Sequence, residues 1–130
     1  MALLLALLLG GCAAAPQLQC APEQHTALLD QLYFGTGRAH GAPVGVRDWD
    51  GFVRQEIAPR LPQGFTVLDA QGQWRAADGG VVRERSHLLQ VVHPDDGSAD
   101  APLAQIIARY KAQFEQESVL QVRSAVCLGF

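Results

Sequence analysis

The chain has 130 residues, of which 48% are hydrophobic and 18% are charged. This length suits a single domain, and the composition excludes a disordered or collagen-like protein. The formal net charge is −3, and neither Lys nor Arg forms a run. We therefore expect no nucleic-acid partner, because binding to phosphates requires a concentrated basic face.

The chain begins with a short apolar segment. Residues 2–9 are only Ala and Leu, and Gly-Gly-Cys12 follows. This run is too short to span a bilayer, which needs about 20 apolar residues, but it has the length of a signal-peptide core. The Leu-Gly-Gly-Cys ending resembles the lipobox of bacterial lipoproteins, in which the Cys is acylated. We predict a lipoprotein signal peptide over residues 1–11 and a lipid on Cys12; an apolar terminus with a buried Cys is the alternative.

A lipid on Cys12 would place the protein in the bacterial cell envelope, anchored to a membrane and facing the periplasm. Residues 12–29 then form the lipidated Cys and a tether, and residues 30–130 form one domain. The two remaining thiols are Cys20 and Cys127. In an oxidising compartment such a pair is more often a disulfide than a reactive site, so we predict a bridge, with two free buried thiols as the alternative. No Cys/His spacing is typical of a zinc site, and we expect neither a metal nor a cofactor.

The hydrophobic pattern predicts six elements in the order β-α-β-β-α-β. They are a strand at 32–34, a helix at 46–58, strands at 65–75 and 81–92, a helix at 102–116 and a strand at 119–130. Both helices carry apolar stripes at steps of three and four residues. The order fits an α+β fold of the ferredoxin-like type, a four-stranded antiparallel sheet with two helices on one face. In that fold the last strand lies beside the first, and the first beside the third.

The turn between the two middle strands predicts which side chains share a sheet face. With Ala77–Gly80 as the turn, Trp74 lies opposite Arg83 and Leu68 lies opposite Leu89. Because side chains alternate along a strand, Leu68 would then contact the helices and the other face would be polar. The residues expected on that polar face include Tyr33, Asp69, Arg75, Glu84, Ser86, Gln121 and Arg123. A shift of one residue would exchange the two faces.

A glycine-rich loop and the polar face supply the candidate site residues. The motif Gly35-x-Gly37-x-x-x-Gly41 differs in spacing from a dinucleotide-binding loop, but its N–H groups and Arg38 can hold an anion. Ser86 and His87 are neighbours on a strand and point to opposite faces, so they do not form a Ser-His pair. The ligand-binding candidates are Tyr33, Arg38, Arg75, Glu84 and Ser86. Solvated charges on a sheet face are the alternative for Arg75 and Glu84.

Several sequence blocks, taken in order, resemble one known family. They are Leu32 to Arg38 (LYFGTGR), Trp49 with Phe52, Pro59 to Pro62 (PRLP), Gly72 to Arg75 (GQWR), Glu84 to Ser86 (E-x-S) and Gln116 to Leu120 (QESVL). Over about residues 30–130 the set is similar to the small bacterial envelope proteins grouped as domain of unknown function 3574. The resemblance implies an exported, often lipid-anchored protein, and it implies no activity. His87 departs from the family pattern, in which a Lys is expected after the E-x-S serine.

These observations together predict a lipid-anchored binding module for a small ligand or an envelope protein. The ligand would bind on the polar sheet face or at the Gly35–Gly41 loop. The alternative is an enzyme whose sheets pair face to face in a homodimer and enclose an active site lined by Tyr33, Arg75, Glu84 and Ser86. A purely structural envelope component is the third interpretation.

Overall fold

The computed structural model describes residues 18–38 and 40–130, so the predicted signal peptide and Cys12 lie outside the described residues. The elements are β1 (His25–Gly35), α1 (Val46–Phe52), β2 (Thr66–Arg75), β3 (Val81–His93), α2 (Asp100–Phe114) and β4 (Leu120–Leu128). The strands form one antiparallel sheet in the order β2-β3-β1-β4. The predicted α+β topology of the ferredoxin-like type is confirmed. No helix within the described ranges is long and apolar enough to cross a membrane.

Two elements differ most in extent from their predictions. β1 begins at His25, inside the segment 12–29 predicted as a tether, because its first residues pair with the end of β4. The domain therefore begins before residue 30. The helix predicted at 46–58 becomes α1 followed by a π-helical turn at Val53–Ile57, in which the Ala58 N–H donates to the Val53 carbonyl at 2.9 Å. Ile57, at the end of this turn, is fully buried.

The core lies between the helices and one face of the sheet. Five buried rings form its centre: Phe34, Trp49, Phe52, Tyr110 and Phe114. The ring of Tyr110 lies 4.7 Å from that of Phe34 and 4.8 Å from that of Phe114, measured between centroids. Burying a large apolar side chain stabilises a fold by about 1.5–3 kcal/mol. This cluster therefore holds α1 and α2 against β1.

The register of the β2–β3 hairpin is shifted by one residue from the prediction. The loop contains five residues, Ala76–Gly80, closed by a hydrogen bond of 2.9 Å from the Ala76 N–H to the Gly80 carbonyl. Trp74 consequently pairs with Val82, and the predicted pairing of Trp74 with Arg83 is wrong. Leu68 turns away from the helices and is exposed, whereas its neighbour Val67 packs against the core.

The shift changes the character of the sheet face that turns away from the helices, which we call the open face. The open face consists of the even-numbered positions of β2, β3 and β4 and the odd-numbered positions of β1. Glu84 is the one formally charged residue among these strand positions. Arg75, Gln121 and Arg123, which the sequence places there, lie on the opposite side of the sheet. The face predicted to be polar is therefore mainly apolar.

A disulfide joins Cys20 to Cys127, as predicted, with Cα atoms 5.4 Å apart. Cys127 pairs with Thr26 in the sheet, so the bridge fastens the N-terminal segment to β4 beside the start of β1. The two cysteines are 107 positions apart in the sequence. In the chain-entropy model a cross-link that closes a loop of about 100 residues stabilises the fold by up to about 4.7 kcal/mol.

Candidate functional site

The structure brings together three of the five predicted ligand-binding residues. Tyr33 on β1 and Glu84 and Ser86 on β3 share the open face. Arg75 lies at the end of β2 with its side chain on the other side of the sheet. The Arg38 guanidinium lies 5.3 Å from the centre of the Phe114 ring and 3.8 Å from a carboxylate oxygen of Asp48, against the helices. Arg38 and Arg75 therefore do not line one site with Glu84 on the open face.

The Glu84 carboxylate lies against the end of β1. Its Oε2 atom accepts a hydrogen bond from the N–H of Gly37. A Cβ atom on Gly35 would lie 2.4 Å from Glu84 Oε1, and one on Gly37 would lie 2.6 Å from Oε2. A side chain at either position would displace the Glu84 carboxylate, because no Cβ fits between the backbone and the carboxylate where it lies. The Glu84 carboxylate occupies the Gly37 N–H, which is therefore not available to an external anion.

Two more side chains hold the same stretch of backbone. The Tyr110 hydroxyl donates to the Gly35 carbonyl at 2.9 Å, and the Gln116 amide nitrogen donates to the Gly37 carbonyl. Burial raises the pKa of Tyr110, and the negative charge of Glu84 raises it further, so the hydroxyl stays protonated as a donor. The end of β1 is thus fixed from α2 on one side and from β3 on the other.

Small residues surround Glu84 on the open face and leave a shallow depression between larger side chains. Gly72 pairs with Glu84 across the hairpin, and the Trp74 ring folds over Gly72, with Cζ3 only 2.9 Å from the place a Cβ would take. Trp74 is 44% exposed. The neighbouring positions of the floor are small: Gly35, Ala70 and Ser86. A carboxylate and an indole therefore flank a floor of small residues.

A polar pair that the sequence does not predict lies on the helix-facing side of the sheet. Asp69 lies opposite His87, and its Oδ1 atom is 2.9 Å from His87 Nδ1. The His87 ring stacks on Trp49 at 4.2 Å with an interplanar angle of 9°. The predicted register put Asp69 on the other face, which hid the contact. Ser86 points away from His87, as strand alternation requires, so the three residues form no Ser-His-Asp site.

A cleft of about 410 Å³ opens beside this pair. Its lining includes Thr36 and Val44 together with Asp69, Arg85 and His87. The Thr36 hydroxyl is already engaged, because it donates to the Arg85 carbonyl at 2.8 Å. Within residues 18–38 and 40–130, no group of three or more His, Cys, Asp or Glu residues could hold a metal ion.

A second polar cluster surrounds the fully buried Asp30 on β1. Its carboxylate accepts hydrogen bonds from Arg123 at 2.8 Å, from Gln121 at 2.8 Å and from His93 at 2.7 Å. Arg123 also donates to Asp100 at the start of α2, at 2.7 Å. Burial alone raises the pKa of Asp30, but the hydrogen bonds from Arg123, Gln121 and His93 more than offset it, so the pKa lies below its ordinary value. The cluster ties β4 and α2 to β1.

The sheet order, the helices on one side and the lone carboxylate on the other define a ferredoxin-like α+β protein with a candidate ligand site on its open face. The chain belongs to the family described as "Protein of unknown function (DUF3574)", whose model matches residues 29–130. The resemblance seen in the sequence is therefore confirmed. No curated protein sequence matches the chain.

Solved structures of a phage enzyme share the fold. A phage SAM lyase in complex with S-methyl-5'-thioadenosine is 13% identical, with a TM-score of 0.58 over 89% of this chain and 97% of the lyase. The apo state of a phage SAM lyase is also 13% identical, with a TM-score of 0.58 over 88% of this chain and 97% of the lyase. At this identity the likeness concerns the fold.

The close approach of Glu84 to Gly35 can be tested by mutation. Gly35→Ala should displace the carboxylate from the Gly37 N–H and lower the free energy of unfolding by about 1.5–3 kcal/mol, the contribution of a hydrogen bond to a charged group. In a Glu84→Ala background the same substitution should cost far less, because the obstacle is gone. Gly51→Ala, which meets open space in α1, should raise stability by about 0.5–1 kcal/mol. Equal costs of Gly35→Ala in both backgrounds, measured by urea denaturation, would contradict this contact.

Acid should destabilise the protein through Asp30. Because the folded state lowers the pKa of Asp30, the ionised carboxylate stabilises the fold above its ordinary pKa of about 3.9. This contribution is lost as the pH falls through the lower, folded-state pKa. Asp30→Asn should cost about 3–5 kcal/mol at neutral pH and should flatten the acid dependence of thermal melting. The control Asp50→Asn, at an exposed position, should retain the parent's acid dependence. If the melting temperatures of the parent and of Asp30→Asn fell in parallel as the pH is lowered, Asp30 would not be the cause of the acid sensitivity.

Proposed function

We propose that this chain is a lipid-anchored envelope protein that binds a small organic cation at Glu84. The observation that carries the proposal is the isolation of Glu84 as the one formal charge at the strand positions of the open face. Its Oε2 atom is held by Gly37, whereas Oε1 takes no hydrogen bond from residues 18–38 and 40–130. A partly buried carboxylate with a free oxygen is stabilised by an opposite charge.

Trp74 supports a cation as the class of ligand. Its indole covers Gly72, the residue paired with Glu84, so the ring and the carboxylate border the same depression. An indole face attracts a cation by about 0.5–1 kcal/mol when exposed and by about 2 kcal/mol when desolvated. The small floor residues leave room for an organic group, and the apolar surroundings favour one over an inorganic ion. Because the phage enzyme with this fold is a SAM lyase, the sulfonium cation SAM is a suitable first probe.

Binding of SAM should depend on the charge of Glu84. Glu84→Gln keeps an oxygen for the Gly37 N–H but removes the charge, so we expect the dissociation constant for SAM to rise at least tenfold, about 1.4 kcal/mol. The matched control Glu117→Gln, in the exposed loop before β4, should bind like the parent. S-methyl-5'-thioadenosine, which lacks the positive charge, should bind more weakly than SAM and should not distinguish the variants. Calorimetric titration with these two probes and tetramethylammonium provides the measurement.

Two outcomes of these titrations would contradict the proposal. One is equal SAM affinity in the parent and Glu84→Gln, and the other is a parent that binds none of the three probes. Chromatography of SAM after incubation with the protein shows whether the protein is a binding module or an enzyme. The shared fold with a SAM lyase favours the enzyme as a second candidate function. Release of S-methyl-5'-thioadenosine that Glu84→Gln abolishes would establish that the protein is an enzyme. SAM that binds and is recovered intact would establish that it is a binding module.

The envelope location rests on the N-terminal sequence. The apolar residues 2–9 and the Gly-Gly-Cys12 ending fit a lipoprotein signal. The Cys20–Cys127 disulfide fits an oxidising compartment such as the periplasm.

Replacing Cys12 should change the location of the protein. Cys12→Ser removes the acylated thiol and should move the protein from the membrane fraction to the soluble periplasmic fraction. Lipidation contributes about 0.8 kcal/mol per buried CH₂, so losing several acyl chains should abolish retention. Fractionation with immunodetection provides the measurement, and Cys20→Ser, which breaks the disulfide but keeps the lipobox, is the control. Equal membrane retention of Cys12→Ser and the parent would refute the anchor.

A further inference from the structure

The open face displays an apolar surface that a cation site does not explain. Six of its side chains are large, hydrophobic and between 37% and 60% exposed: Leu68, Trp74, Val82, Val92, Leu120 and Val122. They come from β2, β3 and β4, so the apolar surface reaches across the full width of the sheet. Soluble monomers rarely expose contiguous apolar patches of more than a few hundred Å². A surface of this kind indicates an interface.

The size of the open face matches what one partner contributes to a stable complex. Four strands spaced about 4.8 Å apart, with about nine residues each at about 3.3 Å, cover a projected area of roughly 600 Å². The side chains make the accessible area larger than this projection. A standard protein–protein interface buries about 800 Å² on each partner. The face is therefore large enough to hold a partner without help from other surfaces.

The charge of the face selects the kind of partner. Its strand positions carry the single carboxylate of Glu84 and no Lys or Arg. A strongly charged partner would find no complementary charges there. The face instead fits a flat apolar sheet surface of the same size, which this chain itself supplies.

We propose that the open face binds the open face of a second copy of this chain. Such an isologous contact closes on itself, because each copy uses the same patch. The proposal concerns the face as a whole and stands whether or not Glu84 binds a cation. Glu84 and Trp74 lie on this face, so the second copy would also cover their depression and exclude bulk water from it.

A charge placed on β4 should separate the copies. The test uses the full chain with Cys12→Ser, and light scattering after gel filtration gives its mass at several concentrations. We expect a multiple of the 14.0 kDa chain mass for this parent. Val122→Lys, on the open face far from Glu84, should raise the dissociation constant at least tenfold. Val46→Lys, the same substitution at an exposed Val at the start of α1, should leave the mass unchanged.

Two results of the mass measurement would overturn the proposal. One is a monomeric parent at the highest soluble concentration, and the other is an assembly that Val122→Lys leaves intact. Because Val122 and Val46 are exposed, both Lys variants should fold, with circular dichroism spectra like that of the parent. A larger assembly that Val122→Lys dissolves into monomers supports the open face as the contact between copies.

Trp74 gives a second measurement that does not depend on mass. Trp74 is 44% exposed on the open face, whereas Trp49 is buried in the core. In the assembled parent, acrylamide should quench little of the tryptophan emission, and in Val122→Lys it should quench the Trp74 component. A monomeric parent in which Trp74 is nevertheless protected would mean that another segment of the chain covers the face, and it would overturn the proposal.

Discussion

The placement of side chains on β2 depends on the loop that joins it to β3. The loop holds Ala76–Gly80, in which Gly79 has a φ of +86° and the Asp78 carboxylate accepts a hydrogen bond from the Gly80 N–H at 2.9 Å. Because the loop begins at Ala76, Arg75 and Val81 form the first pair of the ladder. One residue fewer in the loop would move every β2 side chain to the other face. Loop length therefore decides that the open face is apolar.

The same register positions the candidate site. It sets Gly72 opposite Glu84, which leaves room for the Trp74 ring, and it sets Asp69 opposite His87 on the other side. Glu84 then reaches past the strand to the backbone of Gly37. The aromatic core contributes to the site through Tyr110, because the ring packs among other rings while its hydroxyl holds β1. The end of β1 thus contributes both to the stability of the fold and to the geometry of the candidate site.

The sequence predicts those features that arise from local patterns. The stripes of the two helices and the apolar run that contains Leu89 identify their elements, since each buries one continuous surface. The disulfide follows from compartment and the even number of thiols. Ser86 and Glu84 emerge from a family motif and do share a face. These predictions need no knowledge of which distant residues meet.

Contacts between distant residues are what the sequence could not show. The Ala77–Gly80 sequence permits more than one loop length, so the register and the Asp69 contact were open to error. Asp30 interrupts the apolar pattern of the first strand, and its partner Arg123 lies 93 positions away. A buried carboxylate is tolerated only because those partners arrive with the fold. Arg75 lies on the helix-facing side and not on the open face, because the true register differs from the predicted one by one residue.

The disulfide and Glu84 lie at opposite ends of β1. Ten steps of about 3.4 Å along the strand place them about 34 Å apart. In the proposed lipoprotein, the chain from Cys12 enters the domain beside Cys20, at the end of β1 far from Glu84. The surface potential of anionic lipids decays within a Debye length, about 8 Å at physiological ionic strength. With β1 directed away from the bilayer, the cation concentration around the Glu84 end of the domain would therefore be that of the open periplasm, free of the enrichment that an acidic membrane surface imposes.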